Sequence, residues 1–221
     1  MPRLTKVVPA ILTDDPIALS TMVRQAEGFT NYAQFDIMDG QFVPSQSITA
    51  EHLADLSTTL SWEAHLMVQQ PENYLESFRK AGAKRTIFHY EATSSPEKVI
   101  SQARNLGLEV GLDVNPETPL SVINSLISQI DSVLFLTVNP GFYGSPFIPE
   151  TLDKAIELRR TQPNLEIGVD GGMKESNIVK IAQLGVDVIY VGSAIFLQPD
   201  PGESFRHLSA LAEEGSRQRG Q

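Results

Sequence analysis

Residues 32–38 of the chain read YAQFDIM, a run of aromatic and apolar side chains that predicts a buried β-strand. Similar runs recur along the 221 residues, each followed by a stretch with helical character. The predicted strands are residues 7–12, 32–38, 62–68, 85–91, 109–114, 132–138, 165–170 and 186–192. Eight strands that alternate with about eight helices predict an α/β fold, a (β/α)8 TIM barrel formed as a single domain over residues 1–221.

Caps, prolines and glycines mark the predicted helices. Pro16 follows two aspartates and starts a helix that stops at Gly28, and three later helices stop at Gly82, Gly107 and Gly185. Residues 49–56 form a further predicted helix, and the tail after about residue 213 is expected to be frayed. A doubly wound open sheet is the alternative fold, but residues 13–15 lack the glycine-rich phosphate loop typical of its first turn.

Composition and charge exclude several classes of protein. Lys and Arg total 17 against 27 Asp and Glu, and the resulting formal charge of −10 opposes a nucleic acid partner. The absence of cysteine excludes disulfides, thiol nucleophiles and cysteine-bound metals. No apolar run reaches the roughly 18 residues of a membrane span, and no signal-type stretch opens the chain. We therefore expect a cytoplasmic protein without a membrane partner.

The polar residues at the predicted strand ends are the candidates for function, because the active site of such a barrel lies at the carboxyl ends of its strands. Side chains on a strand alternate between its two faces, so residues two apart share a face. The second strand thus presents Gln34, Asp36 and Met38 together, and the third His65 and Met67; the fourth presents His89 and Glu91, and the seventh ends at Asp170.

Asp36, His65 and Asp170 form a candidate metal site. Two carboxylates and an imidazole could bind one divalent ion, and this donor set does not discriminate between zinc, manganese and iron. The same residues also fit structural roles: Asp36 as a loop cap, His65 as a hydrogen-bonded core histidine and Asp170 as part of an Asp-Gly turn. The residue types alone leave both interpretations open.

Two glycine pairs indicate a phosphate site. Gly171-Gly172 follows the seventh strand and Gly192-Ser193 the eighth, which are the loops where such barrels often bind phosphate. Backbone N–H groups would supply the hydrogen bonds, although ordinary turns would also use these residues. The loop after the sixth strand, NPGFYGSPF at 139–147, has the glycines and aromatic residues of a loop that closes over a ligand, and equally of a plain surface loop.

Five motifs together resemble the ribulose-phosphate 3-epimerase family: DIMDGQFVP at 36–44, HLM at 65–67, VNPGF at 138–142, VDGG at 169–172 and GSAIF at 192–196. The resemblance extends from Pro9 to about Phe196. It implies an isomerase of carbohydrate metabolism, in the pentose phosphate pathway. The implied reaction interconverts D-ribulose 5-phosphate and D-xylulose 5-phosphate by moving the C3 proton through a metal-stabilised enediolate. Family members are often homo-oligomers.

The resemblance also implies a role for each site residue. Asp36 and Asp170 would be the acid/base pair and would bind the divalent metal (zinc, manganese or iron) with His65. Met38 and Met67 would line the substrate beside His65. The phosphate site would comprise Gly141, Phe142, Tyr143, Gly144, Gly171, Gly172, Gly192 and Ser193.

Several positions depart from the family pattern. Gln34 stands where the family has a metal-binding histidine, and its neutral amide oxygen should weaken metal affinity or favour harder ions. Ala10 replaces a substrate-contacting serine. Gln41, Tyr143 and Ser145 also differ, and Leu136 stands in place of a third methionine.

These departures leave alternative functions open. One is a 3-epimerase for another ketose phosphate, such as a hexulose 6-phosphate; another is a catalytically silent sugar-phosphate-binding homologue. Retention of Asp36, His65 and Asp170 argues against the silent protein, because two confined carboxylates repel each other without a cation. A related decarboxylase is disfavoured because Met38 stands where its lysine would be.

Overall fold

The chain folds into a closed barrel of eight parallel strands in sequence order, as the repeated runs predict. The structure, a computed structural model, describes residues 4–140 and 145–219. The strands are β1 Lys6–Ile11, β2 Tyr32–Met38, β3 Ser61–Met67, β4 Arg85–His89, β5 Glu109–Val114, β6 Ser132–Leu136, β7 Glu166–Asp170 and β8 Val188–Val191. The α-helices are α1 Pro16–Glu27, α2 Ala50–Ala54, α3 Leu75–Ala81, α4 Pro96–Asn105, α5 Thr151–Thr161, α6 Glu175–Gln183, α7 Ser193–Phe196 and α8 Pro201–Arg217.

Both faces of the barrel strands are buried, which explains their near-continuous apolar sequence. Ile11, Phe35 and Val169 have no exposed surface and belong to the large core between the barrel and its helices. Alternate residues such as Ala10 and Leu134 form a separate cluster with other inward-facing side chains. Every strand boundary agrees with the sequence prediction to within two residues.

The largest differences from the predicted elements lie around β4 and β5. The strand β4 ends at His89, and residues Tyr90–Ala92 form a 3₁₀ helix instead of continuing to Glu91. From this turn the Glu91 carboxylate accepts hydrogen bonds from the Asn115 backbone N–H at 3.0 Å and from the Thr118 hydroxyl. Glu91 therefore anchors the loop after β5, and its polar side chain has a local structural partner.

The connection after β5 contains 3₁₀ turns at Leu120–Ile123 and Ile127–Gln129, where the strand–helix alternation predicts a full helix. Proline lacks a backbone N–H, and Pro116 and Pro119 interrupt helical hydrogen bonding before these turns. Lys154 on α5 donates to the carbonyl oxygens of Asn115 and Pro116 at 3.1 and 2.5 Å. The ammonium group thus holds this loop against the barrel.

The helix α8 continues through the segment predicted to fray after residue 213, so that expectation is wrong. Ser216 is fully buried, and its hydroxyl accepts the Thr5 N–H at 2.8 Å and donates to the Ala212 carbonyl at 2.9 Å. Tertiary contact with the start of β1 stabilises this last turn. No helix among residues 4–140 and 145–219 is long and apolar enough to cross a membrane.

A buried ion cluster occupies the amino-terminal end of the barrel. The Arg85 guanidinium lies 3.4 Å from Glu63, 2.8 Å from Glu109 and 2.5 Å from Glu166. The Tyr32 hydroxyl donates a hydrogen bond of 2.8 Å to Glu63, which is completely buried. Burial raises the pKa of Glu63 more than the Arg85 charge lowers it. Arg85 is the cation that allows this end of the barrel to hold carboxylates.

We predict that Arg85→Met destabilises the protein by about 3–5 kcal/mol, because it leaves the buried Glu63 without its cation. Urea denaturation followed by circular dichroism measures the change. Lys80→Met is the matched control, since Lys80 pairs with Glu76 on an exposed face of α3 and should contribute no measurable stability. Equal stability of the two variants would contradict the assigned role of Arg85.

Candidate active site

The cavity at the carboxyl ends of the strands brings most of the predicted site residues together. They are Asp36, Met38, His65, Met67, Asp170, Gly171, Gly172, Gly192 and Ser193, and the divergent Ala10, Leu136 and Ser145 line the same cavity. Gln41 is exposed and away from the cavity lining. Gly141, Phe142, Tyr143 and Gly144 lie outside the described residues.

The strand register positions the two aspartates around His65. Asp36 pairs with His65 across β2 and β3, and both side chains face the barrel interior. Asp170 ends β7, which β1 and β8 separate from β2 around the barrel. The Nδ1 atom of His65 lies 3.1 Å from Asp36 Oδ1 and 3.7 Å from Asp170 Oδ2. Separate strands therefore deliver two carboxylates to one imidazole nitrogen.

This cluster has a donor set that could hold a divalent metal ion. One ligand atom each from Asp36, His65 and Asp170 lies within 4.8 Å of the others. Carboxylate oxygens and imidazole nitrogens are common ligands of zinc, manganese and iron. The site residues fit a metal, although their chemistry does not select among these ions.

Gln34 lies beneath the cavity, completely buried, and contacts both aspartates. Its amide nitrogen donates to Asp36 Oδ1 at 3.0 Å and to Asp170 Oδ2 at 3.1 Å. The amide oxygen has no hydrogen-bond partner within the part of the chain that the structure describes. Because a buried oxygen without a partner is unfavourable, this group also fits a cation. Rotation of the amide would turn the oxygen toward the space between the carboxylates.

Burial and mutual repulsion change the protonation of the cluster. Burial and the nearby Asp36 charge raise the pKa of Asp170 to about 7, against the opposing effects of His65 and Gln34. Burial would lower the pKa of His65, but hydrogen bonds to Asp113 and Asp36 raise it well above its usual value. Without a metal, the protonated His65 is the positive charge between these carboxylates.

Asp113 on β5 is a site residue that the sequence analysis missed. Its side chain is fully buried, and its Oδ2 atom lies 2.7 Å from His65 Nε2. The same oxygen lies 3.2 Å from Nε2 of His89, whose ring stacks on His65. A charged residue within a buried strand rarely lacks a partner. Gly111 faces the barrel interior, and Asp113 lies two positions further along the strand and so on the same face. This placement of an aspartate could therefore have indicated a site residue.

The remaining walls of the cavity are apolar on one side and glycine-rich on the other. Met38 and Met67 form a small cluster with Val43, and Met173 contributes a third methionine from a position that the sequence analysis did not single out. Gly171 has a φ of +104°, and a Cβ atom there would lie 2.5 Å from Val138. Only glycine fits this turn, which leaves the backbone close to the cavity.

The fold and this site define a barrel enzyme whose carboxylate–histidine cluster lies at the strand carboxyl ends. A sequence model of the ribulose-phosphate 3-epimerase family matches residues 6–196. Ribulose-phosphate 3-epimerase of Schizosaccharomyces pombe is 36% identical over 204 residues, covering 90% of each chain. The Escherichia coli K12 enzyme of the same name is 36% identical over 202 residues, covering 88% of this chain and 90% of its own. The chain therefore belongs to the ribulose-phosphate 3-epimerase family and is an isomerase.

A solved structure independently shows the same fold. The 3-hexulose-6-phosphate synthase from Salmonella typhimurium superposes with a TM-score of 0.72, covering 94% of this chain and 98% of its own. Its sequence identity is only 18%. This likeness supports the barrel architecture alone.

We predict that the metal-free protein loses stability between about pH 4 and about pH 7 and that Asp170→Asn loses less. Asp170 has a pKa of about 7 when folded against an ordinary value of 3.8, so the folded chain keeps a proton that the unfolded chain has released. The stabilisation is complete at acidic pH and is lost as the pH rises through 7.

Urea denaturation in the presence of a chelator measures this difference. The stability of Asp170→Asn minus that of the wild type should increase with pH over the same interval. A difference that stays constant would contradict the raised pKa of Asp170. Excess manganese is the matched condition, because a bound cation would replace the proton and restore stability at high pH.

Proposed function

We propose that the protein is a metal-dependent 3-epimerase that interconverts D-ribulose 5-phosphate and D-xylulose 5-phosphate. The observation that carries this proposal is the approach of Asp36 and Asp170 to one imidazole from strands on different sides of the barrel mouth. Membership of the ribulose-phosphate 3-epimerase family supports the substrate.

The reaction requires a proton acceptor on one face of the sugar and a donor on the other. The C3 proton of the ketose is acidic because the resulting negative charge spreads to the C2 carbonyl oxygen. One aspartate would remove this proton and the other would deliver a proton to the opposite face. The aspartates exchange roles in the reverse direction.

The residues proposed to hold the metal are Asp36, His65 and Asp170, with the amide oxygen of Gln34 as a fourth donor. When bound, a divalent ion would polarise the C2 carbonyl and stabilise negative charge on its oxygen. Met38 and Met67 would exclude water from the reacting carbons.

The glycine-rich side of the cavity is the proposed phosphate end. Gly171 and Gly172 bring their backbone close to the cavity through left-handed conformations, with φ values of +104° and +69°. Gly192 and Ser193 begin α7 at the same cavity. Backbone N–H groups can hold a phosphate without a lysine or arginine, which suits an acidic protein. The residues at 141–144 are proposed to complete this end.

A 3-epimerase for a hexulose 6-phosphate is the second candidate function. Ala10 lines the cavity with a methyl group and so provides no hydroxyl to a substrate. A panel of ketose phosphates distinguishes the two. Turnover of ribulose 5-phosphate at the highest kcat/KM supports the first candidate, and preference for the hexulose phosphate supports the second.

We predict that Asp36→Asn and Asp170→Asn each lower epimerisation by at least about 100-fold, because an amide cannot transfer the proton. Proton NMR of each sugar phosphate in deuterated water follows both C3 exchange and epimer formation. If the aspartates serve opposite faces, each variant that retains metal should exchange the C3 proton of only one epimer.

Asp187→Asn is the matched control, since Asp187 is a buried aspartate paired with Arg159 and outside the cavity lining. It should epimerise at the wild-type rate. Metal content is measured for every variant, so that loss of a ligand is separated from loss of proton transfer. Full activity in Asp36→Asn or Asp170→Asn would remove that residue from the acid/base pair.

We predict that Gln34→His increases metal retention by about tenfold or more, because imidazole is a stronger ligand than an amide oxygen. Dialysis against a series of chelator concentrations, followed by metal analysis, measures retention in the wild type and the variant. Gln41→His adds the same side chain on the exposed loop and is the control. Identical retention in all three proteins would mean that residue 34 does not contribute to the metal site.

A further inference from the structure

Asp113 is a buried carboxylate that the proposed proton transfer does not use. It lies on β5, faces the barrel interior and has no exposed surface. Its Oδ2 atom contacts two histidines, with His65 Nε2 at 2.7 Å and His89 Nε2 at 3.2 Å. Its Oδ1 atom has no hydrogen-bond partner among residues 4–140 and 145–219. Burying such a group is unfavourable unless its partners compensate.

Among the groups around Asp113, His65 is the partner that best compensates the burial of this carboxylate. The strand register places Asp113 between His89 on β4 and the apolar Leu134 on β6. Arg85 belongs to the ion cluster at the opposite end of the same strands. The shortest contact of Asp113 is the one to His65, the residue whose other ring nitrogen faces Asp36 and Asp170.

We propose that Asp113 is a positioning residue that holds His65 for metal binding. In this arrangement, Nε2–H of His65 donates to Asp113, and Nδ1 is left directed at the space between Asp36 and Asp170. The inference rests on the proposed metal site. A hydrogen bond from the far nitrogen of a metal-binding histidine fixes the tautomer and orientation of the ring and raises its basicity.

His89 supports this arrangement from the side. Its ring stacks on His65 with a centroid separation of 5.3 Å and an interplanar angle of 22°. Phe42 covers His89 at a centroid distance of 4.7 Å. These contacts restrict both imidazoles, so that His65 has little freedom to rotate away from Asp113.

Gln34 gives this hydrogen bond particular importance. The amide of Gln34 is a weaker ligand than an imidazole, so His65 is the one nitrogen donor in the cluster with Asp36 and Asp170. A more basic and better oriented His65 would strengthen a site that has a single nitrogen donor. Asp113 thus offsets part of the effect of Gln34 on the metal.

The test compares metal affinity in Asp113→Asn, Asp113→Leu and the wild type. Titration of zinc against a competing chelator should show an affinity about 10–100-fold lower in both variants, with Asp113→Asn the less affected because its amide oxygen still accepts the hydrogen bond. Asp187→Asn should retain wild-type affinity. Affinities within twofold of the wild type in both Asp113 variants would overturn the inference.

A measurement on the wild type keeps the inference testable if the variants do not fold. Long-range proton–nitrogen NMR of the zinc-loaded protein should show His65 bound through Nδ1 and protonated at Nε2. Zinc at Nε2, or an unprotonated Nε2, would overturn the inference. If the wild type binds zinc at this site but does not epimerise any ketose phosphate, the proposed function fails alone. If it binds no divalent ion there, both fail.

Discussion

Three carboxylates, two buried and one half-buried, converge on one imidazole in this protein, and the site depends on how their charge is balanced. Asp36 and Asp170 face Nδ1 of His65, and Asp113 faces Nε2. In a poorly solvated barrel mouth, such a cluster is stable only with protons, hydrogen-bond donors or a cation between the oxygens. In the absence of a metal, the N–H groups of Gln34 and the protonated His65 balance the charge of these carboxylates. The same carboxylates can bind a metal ion when one is present.

The barrel separates its two charged regions along the strand direction. Arg85 and its glutamates lie at the amino-terminal end, and the His65 cluster lies at the carboxyl-terminal end. Apolar residues such as Val8, Ile87 and Leu134 form the inward-facing cluster between them. The first region balances its carboxylates with a permanent guanidinium charge, which suits a stabilising role. The second relies on an imidazole that can lose its proton, which is typical of a site that binds something else.

The fold could be predicted from the sequence because apolar runs and glycine stops repeat along the chain. The prediction failed where tertiary contacts override local pattern: Glu91 leaves β4 to anchor the next loop, and Ser216 holds the last turn of α8 against β1. The cluster of Asp36, His65 and Asp170 could be predicted from strand alternation and motif resemblance. Asp113 was missed because its role depends on register between strands, which brings β3 and β5 side chains together inside the barrel.

The hydrogen bond between Thr5 and Ser216 joins residues 211 positions apart, so that the first and last parts of the described chain lie next to each other. Both residues lie at the base of the barrel, near the amino-terminal end of β1 and away from the mouth. A short linker could therefore connect the segments around these two residues, and new termini could be opened in an exposed loop elsewhere. The same geometry makes the base a suitable place to attach a fusion partner or a surface tether, because a cargo there would leave the mouth of the barrel free.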